Sequence, residues 1–233
     1  MVLGAYPSAL HVEWCPPPPY KRIAALAVDD EPTPFWNGAD EAARIERWSQ
    51  AVGFRPSWGT VRGVGRLNGS SGLWVERDVL QPLGVTRDEV WITDALDTYR
   101  ASTGQGKRIA DTYEPFAETI GLPSAVLPVH PDEGDIVAEA VAQQLGRLRD
   151  ELRVAVPELV VTLGNAALRV MRHLVEAKDA PTRLRVEGYG ERLPSHFEGR
   201  AIEWLPLAHP AAPEVYQRAH AGWKARIRSE TPR

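Results

Sequence analysis

Four apolar runs in this chain end in residues able to do chemistry. The first, from Met1 to Leu3, breaks at Gly4 into Ala5-Tyr6-Pro7-Ser8. Gly permits unusual backbone angles and Pro fixes its own φ, so the run reads as a buried strand turning sharply into a loop. The second, Val90-Trp91-Ile92, ends in Thr93-Asp94-Ala95-Leu96, and the third, Leu205-Pro206-Leu207-Ala208, ends in His209-Pro210. The fourth, Leu159 to Leu163, closes on Gly164-Asn165 just before a helical stretch from Ala166. Each alone also matches an ordinary turn. Together they supply a histidine, which titrates near neutrality, and an ionised carboxylate, which can only accept hydrogen bonds. A helix start at Asn165 adds unpaired N–H groups suited to an anion. In an open α/β sheet, loops at the carboxyl ends of the strands bind ligands.

The rest of the chain must place those ends side by side. At 233 residues, 43% hydrophobic and 25% charged, it has the composition of one soluble α/β domain, expected to span residues 1–233. Helical periodicity marks Asp40 through Ala42, Ile45 and Trp48; Glu76 to Leu83; Thr112 to Ile120; and most clearly Gly134 to Leu152. In that last segment Ile136, Val137, Val141, Leu145, Leu148 and Leu152 share a face. Ala166 to Val175 and the basic stretch Glu214 to Arg228 complete the helices, and Ile202 to Leu207 is the last strand. Strands alternating with helices predict a central, mostly parallel four-stranded sheet flanked by helices on both faces. His11 to Tyr20, with Pro16 to Pro19 consecutive, reads as an extended surface segment, and Ile23 to Val28 as a strand or buried loop. The Gly-rich run Gly63 to Gly69 lacks the residues of a phosphate loop and reads as a mobile surface loop.

Composition also narrows the function classes. Cys15 is the one cysteine, so an intrachain disulfide or a cysteine-bound cluster is excluded, and no metal or cofactor is expected. No apolar run reaches membrane-spanning length and no signal pattern opens the chain, so a cytoplasmic monomer without membrane contact is expected. The net charge of −4 leaves any nucleic-acid contact to local clusters, among them Arg100/Lys107/Arg108 and Arg218/Lys224/Arg226/Arg228. His11, His130, His173, His196 and His220 lack motif company and read as structural or exposed.

The strand ends, in this order and spacing, resemble the uracil-DNA glycosylase superfamily over nearly the whole chain. Gly4-Ala5-Tyr6-Pro7-Ser8 lies over that family's first motif, and Asp94-Ala95 over the strand end that reads the base. Leu163-Gly164-Asn165-Ala166 lies over a phosphate-contacting helix start, and His209-Pro210-Ala211 over its His-Pro-Ser motif. Many relatives carry a helical region ahead of the first strand, whereas this chain opens on it. The resemblance implies hydrolysis of the base–sugar bond of a flipped-out nucleotide in DNA. His209 would stabilise the departing base, Gly4 and Ala5 would line its pocket, and Asn165, Ala211 and Arg218 would meet the DNA backbone. A stacking aromatic has no clear counterpart; Phe35, Trp36 and Tyr20 are candidates beside Leu26.

Departures from the family pattern carry the specificity reading. Tyr6 stands where active relatives place an Asp or Asn, and a phenol is a poor base near neutrality. Ser8 stands where a Tyr excludes bases substituted at the 5-position. Asp94 replaces an Asn that pairs with uracil, so an ionised carboxylate there favours an amino group such as cytosine N4. Ala211 replaces a Ser. The expected substrate is therefore a 5-modified cytosine-type base, as in hypermodified phage DNA, with defence as the expected role. Competing readings are an ordinary uracil glycosylase of base-excision repair, an inactive nucleic-acid reader, and a hydrolase of free nucleosides or nucleotides.

Overall fold

The computed structural model describes residues 1–125 and 130–230. The chain folds into two compact units, one of residues 1–6, 74–97 and 131–233, the other of residues 7–73 and 98–130.

The first unit holds a five-stranded sheet. Its strands are β1 (Val2–Gly4), β5 (Ile92–Asp94), β6 (Leu159–Leu163), β7 (Leu193–Phe197) and β8 (Arg200–Leu207), in the order β5-β1-β6-β8-β7. β5, β1, β6 and β8 run parallel, and β7 pairs antiparallel to β8 at the edge. The four expected strands are thus present and one more is added. Val2, Leu3, Val160, Val161, Leu163, Leu205 and Leu207 are buried without alternation, as strands covered on both sides require. β7 reads differently: Ser195 and Phe197 are buried while Pro194 and His196 are exposed. That two-residue period, with a proline among only five residues, belongs to an edge strand, and neither feature stands out beside β8 in the sequence.

Three of this unit's helices follow in sequence: α4 (residues 133–155), α5 (Gly164–Met171) and α6 (Glu214–Glu230). α5 packs on β1, β6 and β8, and the first turns of α4 pack on α5. The inward face expected for α4 is buried at Ile136, Val137, Leu148 and Leu152. No helix among the described residues is long and apolar enough to cross a membrane.

The second unit is built on a three-stranded antiparallel sheet, β3 (Ile23–Asp30), β2 (Ala9–Cys15) and β4 (Thr60–Gly63), in the order β3-β2-β4. Here the expectation of an extended proline-type segment from His11 is corrected. Leu10, Val12 and Trp14 alternate with His11, Glu13 and Cys15, and that period of two makes β2 a half-buried strand. The prolines occupy only the connection to β3. α1 (Glu41–Ala51) and α3 (residues 103–120) supply Ile45, Ile109 and Phe116 to the core formed with Val12, Trp14 and Trp36. α2 (residues 70–83) carries the chain from this unit to the other.

The Gly-rich run is a second correction. Asn68 is 4% exposed; its side chain accepts from the His11 N–H at 2.9 Å and donates to the His11 carbonyl and the Glu41 carboxylate, each at 2.8 Å. At Gly69 (φ +85°) a Cβ would come within 2.1 Å of the backbone at Asn37 and Gly38. Glycine is needed there for close backbone packing, so Asn68 and Gly69 are held in place, while Gly63 and Gly65 to Leu67 lie exposed at the surface as expected.

Candidate active site

Because β5, β1, β6 and β8 are parallel, their carboxyl ends share one edge of the sheet. Register brings them level: Gly4 pairs with Asp94, Leu3 with Thr162, and Leu163 with Leu207. The β1 and β5 loops stay joined beyond the strands, since Ala95 N–H donates to the Gly4 carbonyl at 3.0 Å and Leu96 N–H to the Ala5 carbonyl at 2.9 Å. Gly4, Ala5, Tyr6, Asp94, Asn165 and His209 therefore all arise at this edge of one unit.

His209 is held by its own turn. Ala212 N–H donates to the His209 carbonyl at 2.9 Å, and Ala211 N–H donates to His209 Nδ1 at 3.2 Å. An Nδ1 that accepts places the proton of the neutral ring on Nε2. The residue keeps solvent-accessible surface, yet desolvation by the surrounding protein lowers its pKa from the usual histidine value. His209 thus presents an uncharged ring with an Nε2–H donor. Behind it, Gly164 has φ +87°, and a Cβ there would meet His209 Cβ at 3.3 Å. The β6–α5 turn and the histidine consequently need a glycine between them.

Asp94 is 2% exposed. The end of β5 is clamped by Arg147 of α4, whose guanidinium donates to the Asp94 carbonyl at 2.8 Å and the Thr93 hydroxyl at 3.0 Å, and pairs with Glu151 at 2.6 Å. Sequence reading missed Arg147. The available signal was an arginine next to the apolar face of α4, three residues after Gln144 and four before Glu151, both of which it contacts.

The remaining candidates fall as follows. Asn165 stands in the first turn of α5, but its side-chain oxygen accepts from Leu184 N–H at 2.8 Å, so it anchors a loop of its own unit. Ala211 acts through its backbone on His209. Arg218 is exposed on α6 and lies 3.7 Å from Glu214. The other cations of α6 are partly committed: Lys224 pairs with buried Asp78, and Arg226 donates to the Tyr189 carbonyl at 2.7 Å. Tyr6 is half-buried.

Ser8, Phe35 and Trp36 belong to the second unit. There Glu31, 8% exposed and overlooked in the sequence, gathers them: its carboxylate accepts from Ser8 N–H at 2.8 Å, Phe35 N–H at 3.1 Å and Trp36 N–H at 3.2 Å. Phe35 and Trp36 are each 5% exposed, and the Trp36 indole donates to the Ala39 carbonyl at 2.9 Å. Tyr20 packs edge-on to Phe116 at 5.3 Å. Trp36 thus belongs to the core of the second unit and Tyr20 packs against it, while the ring of Phe35 is buried.

Among the described residues no group of three or more His, Cys, Asp or Glu is arranged to hold a metal ion. No protein-family model matches the chain, and no curated protein is significantly similar to it in sequence.

Proposed function

We propose that this protein is a base glycosylase on the uracil-DNA glycosylase fold, with helices on both faces of the sheet. It hydrolyses the N-glycosidic bond of a flipped-out base, and a cytosine-type base with a 5-substituent is the favoured substrate. The observation that carries the reading is His209: a histidine at the carboxyl edge of the sheet, held neutral and with its proton on Nε2. As the C1′–N bond breaks, its electron pair passes to the base, and an Nε2–H aimed at the base oxygen stabilises the developing charge. Water bonds to C1′ and releases its proton to solvent. A phenol at Tyr6 is a weak base, so stabilisation of the leaving base carries most of the rate. The buried Asp94, its backbone clamped by Arg147, supports recognition of an exocyclic amino group. Preference for a 5-substituent rests on the sequence reading of Ser8 alone.

A second reading, hydrolysis of free nucleosides, is favoured by the pairing of Lys224 with buried Asp78, which leaves α6 less uncompensated charge for phosphates. One experiment addresses both. Duplexes with modified cytosines or uracil, phage genomic DNAs and free nucleosides are incubated with the protein, and released base is measured by mass spectrometry. Release from modified duplexes that falls about 10²–10³-fold in His209→Ala is expected. Release from nucleosides alone selects the second reading, and undiminished release by His209→Ala removes the histidine from the mechanism.

A further inference from the structure

Behind the His209 turn lies a buried polar chain that the proposed chemistry does not use. Tyr189 and His220 are each 5% exposed, and Ala208, immediately before His209, is 2% exposed. Ala208 N–H donates to the Tyr189 hydroxyl at 2.8 Å. That hydroxyl lies 2.9 Å from His220 Nδ1, and His220 Nε2 lies 2.9 Å from the Asp78 carbonyl oxygen.

With a neutral imidazole, one arrangement of protons satisfies every contact. A carbonyl oxygen only accepts, so His220 Nε2 carries the hydrogen and Nδ1 is the acceptor. Tyr189 therefore donates to Nδ1 while its oxygen accepts from Ala208 N–H. The Asp78 carboxylate pairs with Arg77 and Lys224. The imidazole is flanked by the rings of Trp74 and Trp223, both at 5.0 Å between centroids. Apolar walls and a fixed direction for each hydrogen make this a rigid strut, since each polar group would be costly to leave unpaired.

We infer that Tyr189 and His220 are positioning residues for His209, fixing the backbone at Ala208 so that the ring keeps its Nε2–H aim. The inference rests on the assignment of His209 as the donor to the departing base. Burial agrees with the proton arrangement: it lowers the pKa of His220, keeping the ring neutral, and raises that of Tyr189, keeping the phenol protonated. If His220 took up a proton, Nδ1–H would confront Tyr189 O–H, and the hydroxyl would have to turn away from its partner.

The test compares Tyr189→Phe, His220→Leu and His220→Gln with the wild type. Phe keeps the ring and deletes the hydroxyl; Gln retains one donor and one acceptor, whereas Leu has neither. Long-range ¹⁵N–¹H spectra of the histidine rings report the His209 tautomer without any substrate. Tyr189→Phe and His220→Leu are expected to turn the single Nε2–H signature of His209 into a mixture, with His220→Gln restoring it. On a cleaved substrate, kcat should fall roughly 10- to 100-fold with KM unchanged, the penalty typical of a displaced catalytic group. An unchanged His209 signature in Tyr189→Phe and His220→Leu overturns the inference. So does unfolding of both variants, which would make the strut a pillar of the fold instead. Absence of base release by the wild type on every substrate overturns the glycosylase reading, and the spectra still decide this one.

Discussion

The turn around His209 shows how few atoms determine the state of a side chain. One backbone N–H, from Ala211, selects the tautomer, and one missing Cβ, at Gly164, lets the β6–α5 turn approach the ring. Gly164→Ala would force a side chain into left-handed backbone and against His209 Cβ. The expected cost is about 1–2 kcal/mol of stability, read by urea unfolding, with a larger proportional loss of base release than of stability. Equal activity in this variant would mean that the histidine tolerates displacement. Asp94→Asn exchanges an acceptor-only group for one that can also donate. Activity should move from cytosine-type bases towards uracil by a factor corresponding to about 1–3 kcal/mol, measured as the ratio of kcat/KM on paired duplexes. A ratio that does not move removes Asp94 from base choice. Arg218→Ala should weaken binding to all duplexes alike and reduce the salt slope by about one; an unchanged slope places Arg218 away from DNA.

Elements here are aimed by polar side chains that reach across to another segment's backbone. Arg147 ties α4 to the end of β5, Glu31 gathers the start of β2 and the loop at Phe35, and Asn68 pins the 65–69 turn to β2. Each replaces backbone pairing where a strand or loop would otherwise leave buried groups unmatched. Asn68→Ala would leave both His11 backbone groups without the Asn68 side chain, at an expected cost of about 1–3 kcal/mol. Native-state hydrogen exchange should show faster exchange at the His11 amide while the β6 and β8 amides stay protected. Uniform loss of protection throughout the chain would instead make Asn68 a support of the whole fold.

For the molecule as a whole, histidines desolvated by the surrounding protein contribute to the response to acid. His209, His220 and His11 all have pKa values lowered from the ordinary histidine value of 6.5, desolvation being the largest cause in each. The unfolded chain then takes up protons before the folded one does, so stability is full above that value and is lost as pH falls through the folded pKa values. Asp78 adds a later decline: burial opposes its ionisation, but Arg77 and Lys224 outweigh that and lower its pKa, so its contribution is lost at more acidic pH. Urea unfolding should therefore show lower stability at pH 5 than at pH 7.5, with a smaller difference in His220→Gln. Equal stability at the two pH values contradicts this account.

Much of the sheet could be read from local pattern because continuous apolar runs and helical periodicity are properties of neighbouring residues. The runs Met1 to Leu3, Leu159 to Leu163 and Ile202 to Leu207 announce buried strands, Gly134 to Leu152 announces a helix, and the polar residues at the strand ends mark the candidate edge. Tertiary structure alone decided the rest. Four prolines masked the alternation of β2 until its pairing with β3 and β4 was visible. The glycines near Asn68 read as looseness until the opposing backbone at Asn37 appeared. Arg147, Glu31, Tyr189 and His220 carry no motif; their partners lie 3 to 142 residues away in sequence. Local sequence specifies which way a segment prefers to fold and which face is apolar. The tautomer of His209 follows from its own turn, through Ala211, whereas its approach to Gly164 and the contact of Ala208 with Tyr189 exist only after distant segments have met.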